Sequence, residues 1–152
     1  MDGILDHFAQ RVEEDGLVDR LAWGVWPFID WTKQWTLGKV DFRQLAKAAA
    51  LGEYVGRHDT AAEYTRRAEA LNKAVITPCF RQNFLVDGPE DPLEECSQHA
   101  QVFAVLSDAL KGETAREVLE HALTDAGFAR CSNAMSFYVF EASRKVGIYD
   151  RL

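Results

Sequence analysis

At 152 residues and 47% hydrophobic composition, the chain is long enough for a single domain over 1–152 with its own core. Its formal net charge of -7 argues against a phosphate-backbone partner, which needs clustered Lys and Arg where this chain has short basic pairs such as Arg66-Arg67. No apolar run approaches the roughly 20 residues of a membrane span, and the stretch from Met1 to His7 lacks the basic and apolar regions of a signal peptide, so neither nucleic acid nor membrane is expected and the chain reads as soluble and cytoplasmic.

Ile4, Leu5, Phe8 and Val12 share one helical face, and Gly16 stops that helix. All four tryptophans, Trp23, Trp26, Trp31 and Trp35, then fall in one stretch with Pro27, Phe28 and Asp30. Aromatic surface interleaved with Gly, Pro and a carboxylate is a long loop, not a helix core. Stacked indoles beside an acid suit a hydroxyl-rich ligand such as a sugar, whose C–H faces pack on the rings while the carboxylate accepts O–H bonds.

Helical pattern resumes after Asp41, a good N-cap, with Leu45, Ala49 and Gly52 on one side, and ends near Gly56. A second helix follows Asp59 and carries Tyr64, Ala68, Leu71 and Val75; the short connection Arg57-His58 makes the pair an antiparallel αα-hairpin. The segment from Phe80 to Gly88 breaks the helical period and ends in Asp-Gly, which predicts extended chain with Asp87 as a turn former. Ser97 caps a helix running through His99, Phe103, Leu106 and Leu110, and Gly112 turns the chain into another with Ala115, Val118, Leu119 and Ala122. Both hairpins run Thr-Ala-x-Glu into their second helix, at Thr60 to Glu63 and Thr114 to Glu117, an echo that suggests repeated hairpins. A last helix carries Met135, Phe137, Tyr138, Val139, Phe140, Ala142 and Val146 and ends at Gly147; its Phe137, Tyr138 and Phe140 read as core. Cys79, Cys96 and Cys131 are odd in number and far apart, which predicts reduced, buried thiols and no metal site.

Several of these patterns, in order, resemble one family: Gly16-Leu17-Val18 before Trp26-Pro27-Phe28-Ile29-Asp30-Trp31, the hairpin through Gly56, Leu85-Val86-Asp87-Gly88, Ser97-Gln98-His99-Ala100, and Ser136 through Ala142. The combination is similar to the catalytic domain of bacterial α-L-rhamnosidases, six-hairpin glycosidases. The resemblance covers nearly the whole chain. It implies an all-α fold of αα-hairpins forming part of an (α/α)6 toroid, with a rhamnoside as the small-molecule sugar. It also implies that the general acid lies in a motif upstream of the tryptophan stretch and the general base in a Trp-Glu motif downstream of the last helix. On that reading these residues form a central fragment that contributes sugar-binding side chains and is inactive alone, since glycoside hydrolysis needs two carboxylates flanking the scissile bond. Gln101 stands where relatives often carry Asn, which leaves the role of that position open.

The residues that would meet substrate are Asp30, Trp31, Trp26, Gln98 and His99; no catalytic residue is assigned. Asp30 and Trp31 either contact sugar or plug the mouth of the barrel, with Asp30 capping a helix. Trp26 and Trp35 are pocket walls or core. Gln98 and His99 start a helix that delivers side chains toward substrate, although a satisfied helix-terminal histidine is the common case. Glu94 and Glu95 are adjacent and diverge, so they read as solvated loop charges. The sequence holds no Gly-rich phosphate loop, His-Glu-x-x-His pattern or nucleophile elbow, and no cofactor is implied. A rival reading is a free-standing helical-hairpin scaffold that presents the tryptophan loop to a partner; another is a degenerate carbohydrate-binding remnant. Because a partial toroid leaves helix faces uncovered, homo-oligomers are expected.

Overall fold

The computed structural model describes Gln10, Glu14, residues 46–88 and residues 96–151. The helix expected before Gly16, the tryptophan stretch with Trp26, Asp30 and Trp31, and Glu94 and Glu95 lie outside the described residues. The chain divides into two compact units, Met1–Ala74 and Val75–Leu152. The fold is all-α, with one small β-hairpin.

In the first unit, helix α1 is described over 46–54 and ends where the sequence predicts. Gly56 takes φ 76, its N–H donates to the carbonyl of Glu53 at 3.1 Å, and the N–H of Arg57 donates to that of Gly52 at 2.8 Å. This is the double closure of a Schellman motif, which satisfies two orphan carbonyls and needs a residue without Cβ strain at the left-handed position. Helix α2 (His58–Cys79) follows at once, and the unit boundary falls within it. Asp59 lies in its first turn, where a carboxylate opposes the positive helix end. Gly52 faces Ala61 so closely that a Cβ added there would meet the Ala61 Cβ at 3.1 Å. The missing side chain is thus what lets the two helices of the hairpin approach. Tyr64, Ala68 and Leu71 are buried on the expected face. The basic pair is neutralised locally, because Arg66 and Arg67 both bond the carboxylate of Glu63.

The second unit takes in the end of α2, where Val75 and Cys79 are buried and Pro78 occupies the last turn. The segment after it is extended, as expected. Strands β1 (Phe80–Arg81) and β2 (Phe84–Leu85) pair antiparallel with Phe80 opposite Leu85 and Arg81 opposite Phe84. Its reversal is at Gln82 and Asn83, with φ 47 and 67, the double left-handed geometry of a type I′ turn.

Helix α3 (Gln98–Leu106) packs against both α4 (Gly112–Thr124) and α5 (Ser136–Lys145) and touches β2. Covered on several sides, it is buried continuously from Ala100 to Val105, with no polar face. Helix α4 is amphipathic, and the predicted Ala115, Val118, Leu119 and Ala122 are all at most 1% exposed. Ala61 and Ala115, the alanines of the two Thr-Ala-x-Glu repeats, are each 1% exposed, so the echo marks equally buried positions. The glycines are not equivalent: Gly56 closes a helix, whereas Gly112, at φ 60, opens one.

A 3-10 turn (Asn133–Met135) leads into α5, which ends in a second Schellman motif: Gly147 has φ 74 and donates to Arg144 at 3.2 Å, and Ile148 donates to Ser143 at 2.9 Å. The expectation that Phe137 and Phe140 are core is corrected, since they are 61% and 48% exposed. The reason is helical phase. Tyr138, Ala142 and Lys145 follow i, i+4, i+7 and face α3, where the Tyr138 ring meets Phe103 and Lys145 Nζ donates to the carbonyl of Val105 at 2.8 Å. Phe137, Phe140 and Arg144 share the opposite side. Lys145 also meets Asp108 at 3.0 Å, so one cation closes the end of α3. Residues Tyr149–Arg151 form a further 3-10 turn.

Candidate functional site

Of the residues expected to meet a sugar, Gln98 and His99 are described, and both stand in the first turn of α3. The chain is ready to start a helix here because Ser97 is extended (φ -131, ψ 155) and its Oγ accepts from the N–H of Ala100 at 3.3 Å. That hydroxyl donates its own proton to Asp87 Oδ1 at 2.8 Å. An isolated parallel bridge joins Ser97 to Ala129: Gln98 N–H donates to the Ala129 carbonyl at 2.9 Å, and Ala129 N–H to that of Cys96 at 3.0 Å.

Gln98 is 8% exposed. Its Nε2 donates to the carbonyl of Ala122 at 3.0 Å and its Oε1 accepts from the N–H of Cys131 at 3.0 Å, so the carboxamide ties the end of α4 and the loop after it to the start of α3. Gln101 is fully buried and answers the question its position raised. Its Oε1 accepts from the N–H of Leu85 at 2.9 Å, while Nε2 donates to the Leu85 carbonyl at 2.7 Å and to that of Ser97 at 3.1 Å. In a hairpin closed by a two-residue turn, alternate residues point their backbone groups away from the partner strand. Leu85 is such a residue, and the carboxamide stands in for a third strand. A lone amide inside the apolar run 100–105 is the signal that could have found this contact.

His99 is the exception among these polar residues. It is half-buried, and its ring makes no hydrogen bond to any described residue. Burial holds its pKa below the ordinary value of 6.5, so the imidazole is predominantly neutral at pH 7, with one nitrogen able to donate and the other to accept. A hydroxyl group, itself donor and acceptor, matches that pair. The other described histidines are engaged: His58 with Glu53 at 2.7 Å, and His121 with Asp125 at 3.1 Å, its ring edge-on to Phe84 and Phe128. The hydrogen bond from Gly127 N–H and the neighbouring His121 pull the Asp125 carboxyl down.

Cys79 and Cys96 are buried and form no disulfide; Cys131 is half-buried, and burial pushes its thiol up to about 11, where it stays protonated. Among the described residues no group of His, Cys, Asp or Glu is placed to hold a metal ion. An open groove of about 480 Å³ in the second unit is lined by Glu117, Glu120, His121, Thr124, Ile148 and Arg151. Its Glu120 is engaged by Arg116 and Arg151, and of the described residues expected to meet sugar, neither Gln98 nor His99 lines it.

No family model and no curated protein matches the chain. Its fold, αα-hairpins with a short β-hairpin between them, is shared with a glycoside hydrolase. That structure is the GH78 family rhamnosidase of Bacillus sp. GL1, to which the chain is similar with a TM-score of 0.76 and 22% identity, over 95% of this chain. The chain spans 16% of the length of that protein.

Proposed function

We propose that this chain is a portion of an α-L-rhamnosidase-like glycoside hydrolase domain, part of an (α/α)6 toroid, and that it supplies sugar-binding residues to the site. The observation that carries the reading is the fold likeness to a rhamnosidase over 95% of the chain. Asp30, Trp31 and Trp26 are the contacts assigned to the tryptophan stretch. His99 is assigned to the start of α3, where a neutral, unbonded ring suits a sugar hydroxyl; Gln98 enters that surface as the residue that fixes the turn beneath it. The acid and base carboxylates belong, on the family pattern, to motifs that these 152 residues do not contain, so the chain by itself binds sugar without hydrolysing it.

Titration of tryptophan fluorescence with L-rhamnose and with glucose tests this. Quenching selective for rhamnose, abolished in Trp31→Ala and weakened about fivefold or more in His99→Ala, is the expected result. No response to either sugar would favour the rival reading, a helical scaffold presenting its tryptophans to a protein.

The outer side of α5 supports a second element of the reading. Phe137, Phe140 and Tyr149 are each about half exposed or more, and the Phe140 and Tyr149 rings stack edge-on at 6.0 Å. Through this face two copies of the isolated chain associate in solution. Light scattering should give a mass that rises with concentration and returns to that of a monomer in Phe137→Ser/Phe140→Ser; a monomer at all concentrations would remove the element.

A further inference from the structure

The sequence assigns Asp87 to a turn, and the sugar-binding reading gives it no part. Its carboxylate nevertheless accepts from Ser97 Oγ at 2.8 Å, and Ser97 is 6% exposed. A serine hydroxyl has one proton to give. With that proton directed to Asp87, the oxygen lone pairs are left for the N–H of Ala100, which they meet at 3.3 Å. The carboxylate therefore selects the rotamer in which Ser97 caps α3. It also brings negative charge to the helix end where such charge is stabilising. His99 lies between the capping residue and the N–H it caps, so the backbone that aims the imidazole is closed at both ends by this pair of bonds. Gln98 braces the same turn toward Ala122 and Cys131.

We propose that Asp87 is a positioning residue for His99, acting through the hydroxyl of Ser97 to hold the first turn of α3 in the geometry that presents the imidazole to a sugar hydroxyl. The proposal rests on the reading of His99 as a sugar contact.

The full chain with Asp87→Ala and with Asp87→Asn tests it by three measurements: the NMR shift and titration midpoint of the His99 ring protons, the affinity for L-rhamnose, and the thermal midpoint. Asp87→Ala should move the His99 signals and weaken rhamnose about fivefold, and Asp87→Asn, which keeps an acceptor oxygen, should restore both to within about twofold. A fall in thermal midpoint with unchanged His99 signals and affinity would make Asp87 a structural residue only and overturn the proposal. Should Asp87→Ala fail to fold, Ser97→Gly removes the same link while leaving a tolerated N-cap residue. Unmoved His99 signals in that variant overturn the proposal equally. If the wild type shows no response to rhamnose, or His99→Ala retains full affinity, the sugar reading fails; displaced His99 signals in Asp87→Ala still establish the positioning role.

Discussion

Substituting Gln101→Leu is expected to lower the free energy of unfolding by about 3 kcal/mol, the largest loss we foresee for a single change among the described polar residues. Leucine fills comparable space in a fully buried position, so the expected loss is not a cavity effect. It arises at Leu85, itself 0% exposed, whose N–H and carbonyl both depend on the Gln101 carboxamide. Each buried backbone group left without a partner costs about 1–3 kcal/mol, and the apolar surface gained by leucine offsets only part of that. Urea denaturation measures the difference; a variant as stable as the wild type would mean that Leu85 is satisfied some other way.

The companion change Gln101→Glu makes the mechanism visible through pH. An ionised carboxylate accepts from the Leu85 N–H but confronts the carbonyls of Leu85 and Ser97 with negative charge, where the amide donated to both. Burial and those carbonyls raise the folded-state pKa of the introduced carboxyl above its unfolded value of about 4.3. Below that value both states are protonated and the O–H donates to a carbonyl. As pH rises the unfolded chain ionises first, and relative stability is lost until the folded pKa is passed. The deficit against wild type should therefore be small near pH 4 and larger than that of Gln101→Leu near pH 7. A deficit independent of pH would rule out the assignment.

Gly52→Leu is the second large effect. The Gly52 position meets the Ala61 Cβ at 3.1 Å and its backbone Cα and N at 3.3 Å, and backbone does not swing aside as a long side chain can. Overpacking costs about 1–3 kcal/mol and the gain in helix propensity returns under 1, so a net loss of about 2 kcal/mol is expected. Gly52→Ala needs a shift of only a few tenths of an ångström and gains about the propensity difference of about 1 kcal/mol, so it should lie close to wild type. Equal stability of Gly52→Leu and Gly52→Ala in thermal denaturation would show that the hairpin does not depend on this approach.

Much of the fold was legible because its signals are local. Gly56 and Gly147 end helices by adopting a left-handed conformation and closing hydrogen bonds within six residues, and Ser97 caps a helix by reaching three residues ahead. The apolar faces of α2 and α4 follow from the helical period alone. The reversal at Gln82-Asn83 was missed because Gln-Asn is a weaker type I′ signature than Asn-Gly, so Asp87-Gly88 drew the turn instead. Phe137 and Phe140 were misjudged because composition places large aromatics inside, whereas the phase set by Tyr138, Ala142 and Lys145 turns them out. For the candidate site, the motif Ser97-Gln98-His99-Ala100 located the cap and first turn of α3. It did not distinguish the residue whose ring is left unbonded from the neighbours that brace it.

The amino-acid sequence by itself determined the helix ends at Gly56 and Gly147, the cap at Ser97 and the apolar faces of α2 and α4, because caps, glycines and periodicity act over a single turn or two. Only the tertiary structure decided how the buried polar groups are used. Gln101 meets Leu85 at a separation of 16 residues and Gln98 meets Cys131 at 33, and pairings at that distance are chosen by how helices and hairpin pack, not by any short pattern. That packing engages Ser97, Gln98 and Gln101 in holding the start of α3 and leaves the His99 imidazole without a partner among the described residues.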